Sequence, residues 1–177
     1  MRNIIITMLL AVILASCAST RKTEAEKQAE AMAIKAMIAD STANRTFTAE
    51  VEYVVPRRME SRFLTSTYTV RISGDSIMSN LPYYGVAYKA SFEREGPLDF
   101  DGHIDNYTIS YPKEGITRVK LFTRNKLERL EYIFDVMDDG DVSLDVYSAD
   151  RDRINFTGEM IMKSLTPSPS PKGRGAR

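Results

Sequence analysis

One cysteine, one histidine and no tryptophan occur in 177 residues. Cys17 has no second thiol to pair with, so no disulfide staples the chain. With His103 as the sole imidazole, zinc sites built from clusters of Cys and His are excluded. No Gly-x-Ser-x-Gly elbow sets His103 up as the base of a serine triad. A glycine-rich phosphate loop and a dinucleotide fingerprint are missing too. The apolar run from Ile4 to Leu14 falls short of the about 20 residues that a spanning helix needs. Nor does charge of one sign dominate, since the formal net charge is zero. Its distribution is uneven, however: residues 46–162 hold 14 Lys and Arg against 20 Asp and Glu, a net of −6. A mildly acidic stretch without a basic stripe argues against nucleic acid as a partner. Arg57, Arg58 and Arg62 form the one tight basic cluster, and a solvated loop accounts for them.

What the N-terminus does carry is an export address. Arg2 supplies a positive charge, the run from Ile4 to Leu14 an apolar core, and Leu14-Ala15-Ser16-Cys17 a small-residue cleavage site, in the order that secretion requires. The tetrapeptide resembles the bacterial lipobox. That resemblance implies cleavage after residue 16 and a diacylglycerol on the Cys17 thiol. Acyl chains contribute about 0.8 kcal/mol per buried CH₂, so two or three anchor a domain firmly. Ala18 rather than Asp follows the cysteine, and no acidic run comes after it. By resemblance to lipoprotein sorting signals, this implies an outer-membrane lipoprotein, with the periplasmic face favoured over the cell surface.

Thr23-Glu24-Ala25-Glu26 has capping-box spacing, and good helix formers continue through Asp40. Ala25, Ala29, Met32, Ala36 and Met37 recur at intervals of three and four and are expected to form the apolar face. An Ala-rich face without Trp, Phe or Leu suits a spacer or a helix packed on a domain edge better than one that inserts into a membrane surface. At the far end, Pro, Ser, Gly and basic residues dominate residues 163–177, the composition of a disordered tail. The expected organisation is therefore a signal peptide in residues 1–16, a lipidated linker and helix in 17–45, an antiparallel β domain in 46–162 and the tail in 163–177.

Within the β domain the period changes to two. Phe47, Ala49, Val51, Tyr53 and Val55 are expected on one face, with Thr48, Glu50 and Glu52 on the other. Leu64, Tyr68, Val70 and Ile72 repeat the pattern. Further alternation marks Tyr107–Tyr111, Val119–Leu121, Leu130–Val136, Val142–Val146 and Ile154–Phe156, as half-buried antiparallel strands require. Ser73-Gly74-Asp75, Glu114-Gly115, residues 138–141 and residues 149–152 stand at hairpin positions, where Gly and Asp tolerate tight turns. About eight strands with no helix between them make an all-β fold, a meander barrel or a two-layer sandwich, preceded by one N-terminal helix.

The order Phe47-Thr48-Ala49, Val55-Pro56, Tyr68-Thr69-Val70, Gly74-Asp75, Leu81-Pro82-Tyr83-Tyr84-Gly85, Gly96-Pro97-Leu98-Asp99-Phe100 and Ile154-Asn155-Phe156-Thr157-Gly158 resembles the domain-of-unknown-function 4251 family. The resemblance runs from the helix to Met162, and Leu-Pro-Tyr-Tyr-Gly is its most distinctive piece. It implies a lipoprotein of an anaerobic Gram-negative bacterium, with no established activity and no agreed site residues.

Tyr83, Tyr84 and Tyr88 are the candidate ligand contacts, because two adjacent tyrosines cannot both point inward on a strand and Tyr suits a site with one wet and one apolar end. A ring packed over a loop, with its hydroxyl bonded to backbone, is the bland alternative. Asp99, Asp101 and Asp105 crowd one segment, but without the spacing of a calcium loop they are expected in a solvated turn, as are Asp138, Asp139 and Asp141. No cofactor is implied, and catalysis is the minority reading. The sequence points to a membrane-anchored, non-catalytic envelope module for a protein or glycan partner. A carrier of a lipid or other apolar molecule and a carbohydrate-active hydrolase are the alternatives.

Overall fold

The structure is a computed structural model that describes residues 23–88, 96–126 and 128–161. Cys17 with its lipobox and the tail at 163–177 lie outside the described residues. The chain divides into two units between Met32 and Ala33, so helix α1 (Glu24–Ala43) spans the division. Its start obeys the capping-box spacing in both directions: Thr23 N–H donates to Glu26 Oε2 at 2.7 Å, and Glu26 N–H donates to Thr23 Oγ1 at 3.3 Å. Among the described residues no helix is long and apolar enough to cross a membrane.

The last turns of α1 belong to the barrel unit, and there the buried stripe differs from the expected one. Ile38 and Thr42 are buried and Ile34 packs on the core, whereas Ala36 is exposed and Met37 only half-buried. Branched Ile side chains at a spacing of four offer more apolar area than alanine methyls, and area decides which face turns inward. Thr42 tolerates burial because its hydroxyl donates back to the Ile38 carbonyl at 2.8 Å. Arg45 ends the helix at φ 53°, in the left-handed region. Its guanidinium lies 4.9 Å from the Tyr107 ring centroid and 2.5 Å from Asp75. Tyr107 in turn donates its hydroxyl to the Thr42 carbonyl at 2.7 Å.

Among the described residues eight strands follow: β1 (Thr46–Pro56), β2 (Arg62–Ser73), β3 (Ser76–Asn80), β4 (Asp99–Lys113), β5 (Ile116–Arg124), β6 (Arg129–Met137), β7 (Asp141–Ser148) and β8 (Ile154–Met160). Each pairs antiparallel with the next, and β8 pairs with β1, so the meander closes into a barrel. Closure removes every sheet edge, which decides barrel over sandwich. Gly74, Gly115 and Gly140 sit at positive φ in three of the expected hairpin turns.

Two strands depart from the expected pattern, β4 and β1. Asp99–Asp105 is not a turn but the first half of β4. Phe100, Gly102 and Ile104 alternate inward against exposed Asp99, Asp101 and His103; a register shift between Ile104 and Asn106 then changes the phase, so the two halves read as unrelated segments. In β1 the register shifts between Val51 and Tyr53 on both sides of the strand: against β8, Glu52 is the extra residue of a bulge, and against β2, residues 64–67 stand opposite it. Beyond it the faces exchange: Val54 and Pro56 are buried, while Tyr53 and Val55 turn outward. Gly158, paired with Val51, permits this approach, since a Cβ there would lie 2.0 Å from the Glu50 carbonyl oxygen.

Inside, Tyr132, Phe134, Leu144, Leu121 and Phe156 are at 0% exposure, so no water-sized sphere touches them. Phe47 packs edge-on against Phe134 at 5.4 Å. The Tyr132 hydroxyl lies 3.0 Å from Ser79 Oγ, which donates to the Leu98 carbonyl at 2.7 Å. An eight-stranded barrel is just wide enough for side chains to fill, and among the described residues large, buried ones line its interior.

Candidate functional site

Tyr83, Tyr84 and Tyr88 come together at the barrel end formed by the loops before β2, β4, β6 and β8. The tyrosine loop is stitched to the loop before β8 by Tyr88 N–H donating to the Asp150 carbonyl at 2.8 Å and Asp152 N–H donating to the Val86 carbonyl at 3.1 Å. Tyr83 folds back over its own loop, its hydroxyl 3.1 Å from the Val86 carbonyl and 3.0 Å from that of Asp152. Its single proton is shared between those two acceptors. A side chain at position 85 would strike this ring, because a Cβ would stand 2.6 Å from the hydroxyl oxygen; that is the reason for Gly85. Burial pushes the Tyr83 hydroxyl up to about 12, and the Asp152 carboxylate adds to the shift. Tyr84 is half-buried beneath the Arg62 guanidinium, 4.9 Å from the ring centroid.

Tyr88 is exposed, yet its hydroxyl donates to Asp152 Oδ1. That hydrogen bond, followed by the charge of Arg58, holds the Asp152 carboxyl below its usual range. Arg58 Nε lies 3.2 Å from Asp152 Oδ2, without the alignment of a hydrogen bond, and Arg57 lies 3.8 Å from Oδ1. Nearby, Arg151 Nε meets Glu128 Oε1 at 2.5 Å, with both side chains buried; Ser148 also donates to Glu128. Arg57, Arg58 and Arg62 are exposed, as expected of a solvated loop, but Arg57 and Arg58 also lie beside the buried Asp152 carboxylate, while Arg151 and Glu128, buried together, form the ionic plug of this end. The hydroxyls of Tyr83 and Tyr88 are both engaged within the protein.

The carboxylates behave differently. Asp99, Asp101 and His103 share the outer face of β4 and line a recess of about 530 Å³ with Arg124, Asn125 and Lys126. Neighbours on one strand face project side by side, not across a cleft from one another. Among the described residues no group of three His, Cys, Asp or Glu is placed to hold a metal.

A second groove has no signature in the alternating strand pattern of the sequence. It lies on the outer wall where β7, β8, β1 and β2 run side by side, and measures about 490 Å³. Cross-strand register sets Ser143 beside Thr157, Thr157 beside Tyr53, and Tyr53 beside Phe63. Phe63 is 78% exposed, and its ring meets Tyr53 edge-on at 4.8 Å and 67°. One row away, Asp141 pairs with Glu159 and Glu159 with Glu50, with Glu52 on the bulge between. Among the described residues no Lys or Arg forms an ion pair with any of these four carboxylates. The signal that could have revealed the groove is Gly158, since a lone glycine inside a strand pattern marks a bulge or a close backbone approach.

The family described as Domain of unknown function (DUF4251) matches residues 25–160. The chain belongs to that family. A crystal structure of a DUF4251 family protein from Bacteroides eggerthii DSM 20697, at 1.95 Å, superposes with a TM-score of 0.55 at 13% identity, over 73% of this chain and 87% of that one. At that identity the likeness concerns the DUF4251 fold alone. A comparison with curated proteins finds no match.

Proposed function

We propose that this DUF4251 chain is an acylated envelope protein, anchored through Cys17 in the outer membrane, whose barrel is a non-catalytic module that binds a partner through its outer wall. The observation that carries the reading is the exposed Tyr53–Phe63 pair over the β7–β8–β1–β2 groove, set against an interior whose large side chains are sealed from water. A carrier needs an interior volume that Tyr132, Phe134 and Phe156 occupy. A glycoside hydrolase needs two carboxylates facing one bond across a cleft, whereas Asp99 and Asp101 project side by side from one strand and Asp141, Glu159 and Glu50 stand side by side on one sheet surface. The outward ion pairs Arg118–Asp135 and Lys120–Glu131 also make the β5–β6 wall the reverse of the apolar band of a lipid-facing barrel.

The test is a photo-crosslinking residue introduced at position 63 in cells of the source bacterium, with position 122, on the opposite wall, as the control. A discrete adduct at 63 and none at 122 is the expected result; equal labelling at both, or none at either, would refute a binding wall. Incorporation of labelled fatty acid, abolished by Cys17→Ala, checks the anchor.

A further inference from the structure

We infer that the partner bound in the Tyr53–Phe63 groove is a basic, extended peptide segment presenting Lys or Arg side chains. This rests on the proposed binding role of the wall and names the chemistry of its occupant.

Several aromatic rings of this barrel already lie under a cation, although among the described residues exposed Tyr88 and Tyr111 do not. A Lys or Arg lies over Tyr83, Tyr84, Tyr107, Phe122 and Tyr147, at 4.5 to 5.6 Å from the ring centroid. Tyr53 and Phe63 have only each other among the described residues. Their exposed ring faces attract cations through the same quadrupole. Alongside stand Glu50, Glu52, Asp141 and Glu159, equally without a cation among the described residues. Two separate deficits, over rings and beside carboxylates, are filled by one kind of side chain.

Alternatives fit less well. The four carboxylates are not grouped to hold a metal ion. The two rings cross at 67°, so they offer no continuous flat platform for a sugar. From Ser143 to Phe63 the row crosses three strand spacings, about 14 Å. An extended peptide covers that span with roughly four or five residues, enough to place alternate basic side chains on the rings and on the carboxylate row.

The experiment is an amide NMR titration of the full-length chain in detergent with deca-lysine, beside deca-glutamate and a tetramer of N-acetylglucosamine as competing chemistries. Deca-lysine is expected to shift the amides of Tyr53, Phe63, Ser143, Thr157 and Glu159 and to bind more weakly as salt rises. Phe63→Ala, at an exposed position that leaves the fold intact, is expected to weaken binding at least fivefold, and Asp141→Asn with Glu159→Gln at least tenfold. Shifts scattered over the whole acidic surface and unchanged by Phe63→Ala would overturn the inference as mere charge attraction. So would saturable binding of the sugar tetramer at these amides, or no localised shift with deca-lysine. If an adduct forms at position 63 in cells while deca-lysine fails, the basic-peptide assignment falls and the binding wall stands; if both fail, the wall itself is refuted.

Discussion

On the β5–β6 wall Arg118 grips Asp135 through two parallel bonds of 2.6 and 2.7 Å, and Lys120 meets Glu131 at 2.6 Å. On the wall of β7, β8 and β1 the register instead sets Asp141, Glu159 and Glu50 in one lateral row, with no described cation among them. Both walls belong to one closed sheet, with the same strand spacing and the same core beneath. The difference is therefore one of side-chain choice. Opposite charges facing across strands contribute roughly 0.2–1 kcal/mol and like charges cost a similar amount. On that second wall Arg153 is paired with Asp145 at 2.9 Å, so the barrel gives up stability only along the Asp141–Glu159–Glu50 row, and a ligand that supplies the missing charge there recovers it.

The largest test of this comparison removes the geometry that creates the acidic, aromatic wall. Gly158→Val drives a side chain into the Glu50 carbonyl and Val51 Cα; it should cost more than about 4 kcal/mol, the range of severe backbone collisions. Urea unfolding should then show a lost or strongly shifted transition. A near-native midpoint would mean that the β1–β8 seam is not as described.

That seam also explains what could be read from the sequence and what could not. Period two survives in β5 through β8, where Val119, Leu121, Leu130, Tyr132, Phe134, Val142 and Leu144 point inward without interruption; the hairpin glycines fix their ends. Reading fails at the bulges. One extra residue at Glu52 turns Tyr53 from core to surface, and the phase change after Ile104 makes the first half of β4 look like a loop. β3 is only five residues long, too short to stand out beside Gly74-Asp75. At the tyrosine end, Tyr83, Tyr84 and Tyr88 were legible as a cluster, and the Tyr83 bond to the Val86 backbone is the local contact the sequence offered as its alternative, but Asp152 comes from a contact that no local pattern encodes. The groove was hidden because it needs both the bulge and the β1–β8 closure.

The two barrel ends can be compared by alkaline titration. Burial raises the hydroxyls of both Tyr107, beside α1, and Tyr83, at the opposite end, to about 12. Because each folded value lies above the unfolded value of about 10, the stability they contribute is complete below about pH 10 and lost as pH rises towards 12. Tyr107→Phe and Tyr83→Phe should each flatten that loss in thermal unfolding followed over this window. An unchanged slope in either variant would show that its hydroxyl is already open to solvent.

Smaller effects distinguish the walls directly. Asp135→Asn leaves Arg118 without its fork and should lower stability by about 0.5–1 kcal/mol at low salt, read by urea unfolding. An unchanged midpoint would mean that the paired wall gains nothing from its pairing.

The most direct measurement is the urea unfolding of Glu159→Lys beside the wild type, at low and at high salt. A cation at 159 stands between Asp141 and Glu50, so the account predicts a gain of roughly 0.5–1 kcal/mol at low salt, shrinking as screening grows. A variant less stable than the wild type, or a gain indifferent to salt, would contradict the claim that this wall holds unrelieved negative charge.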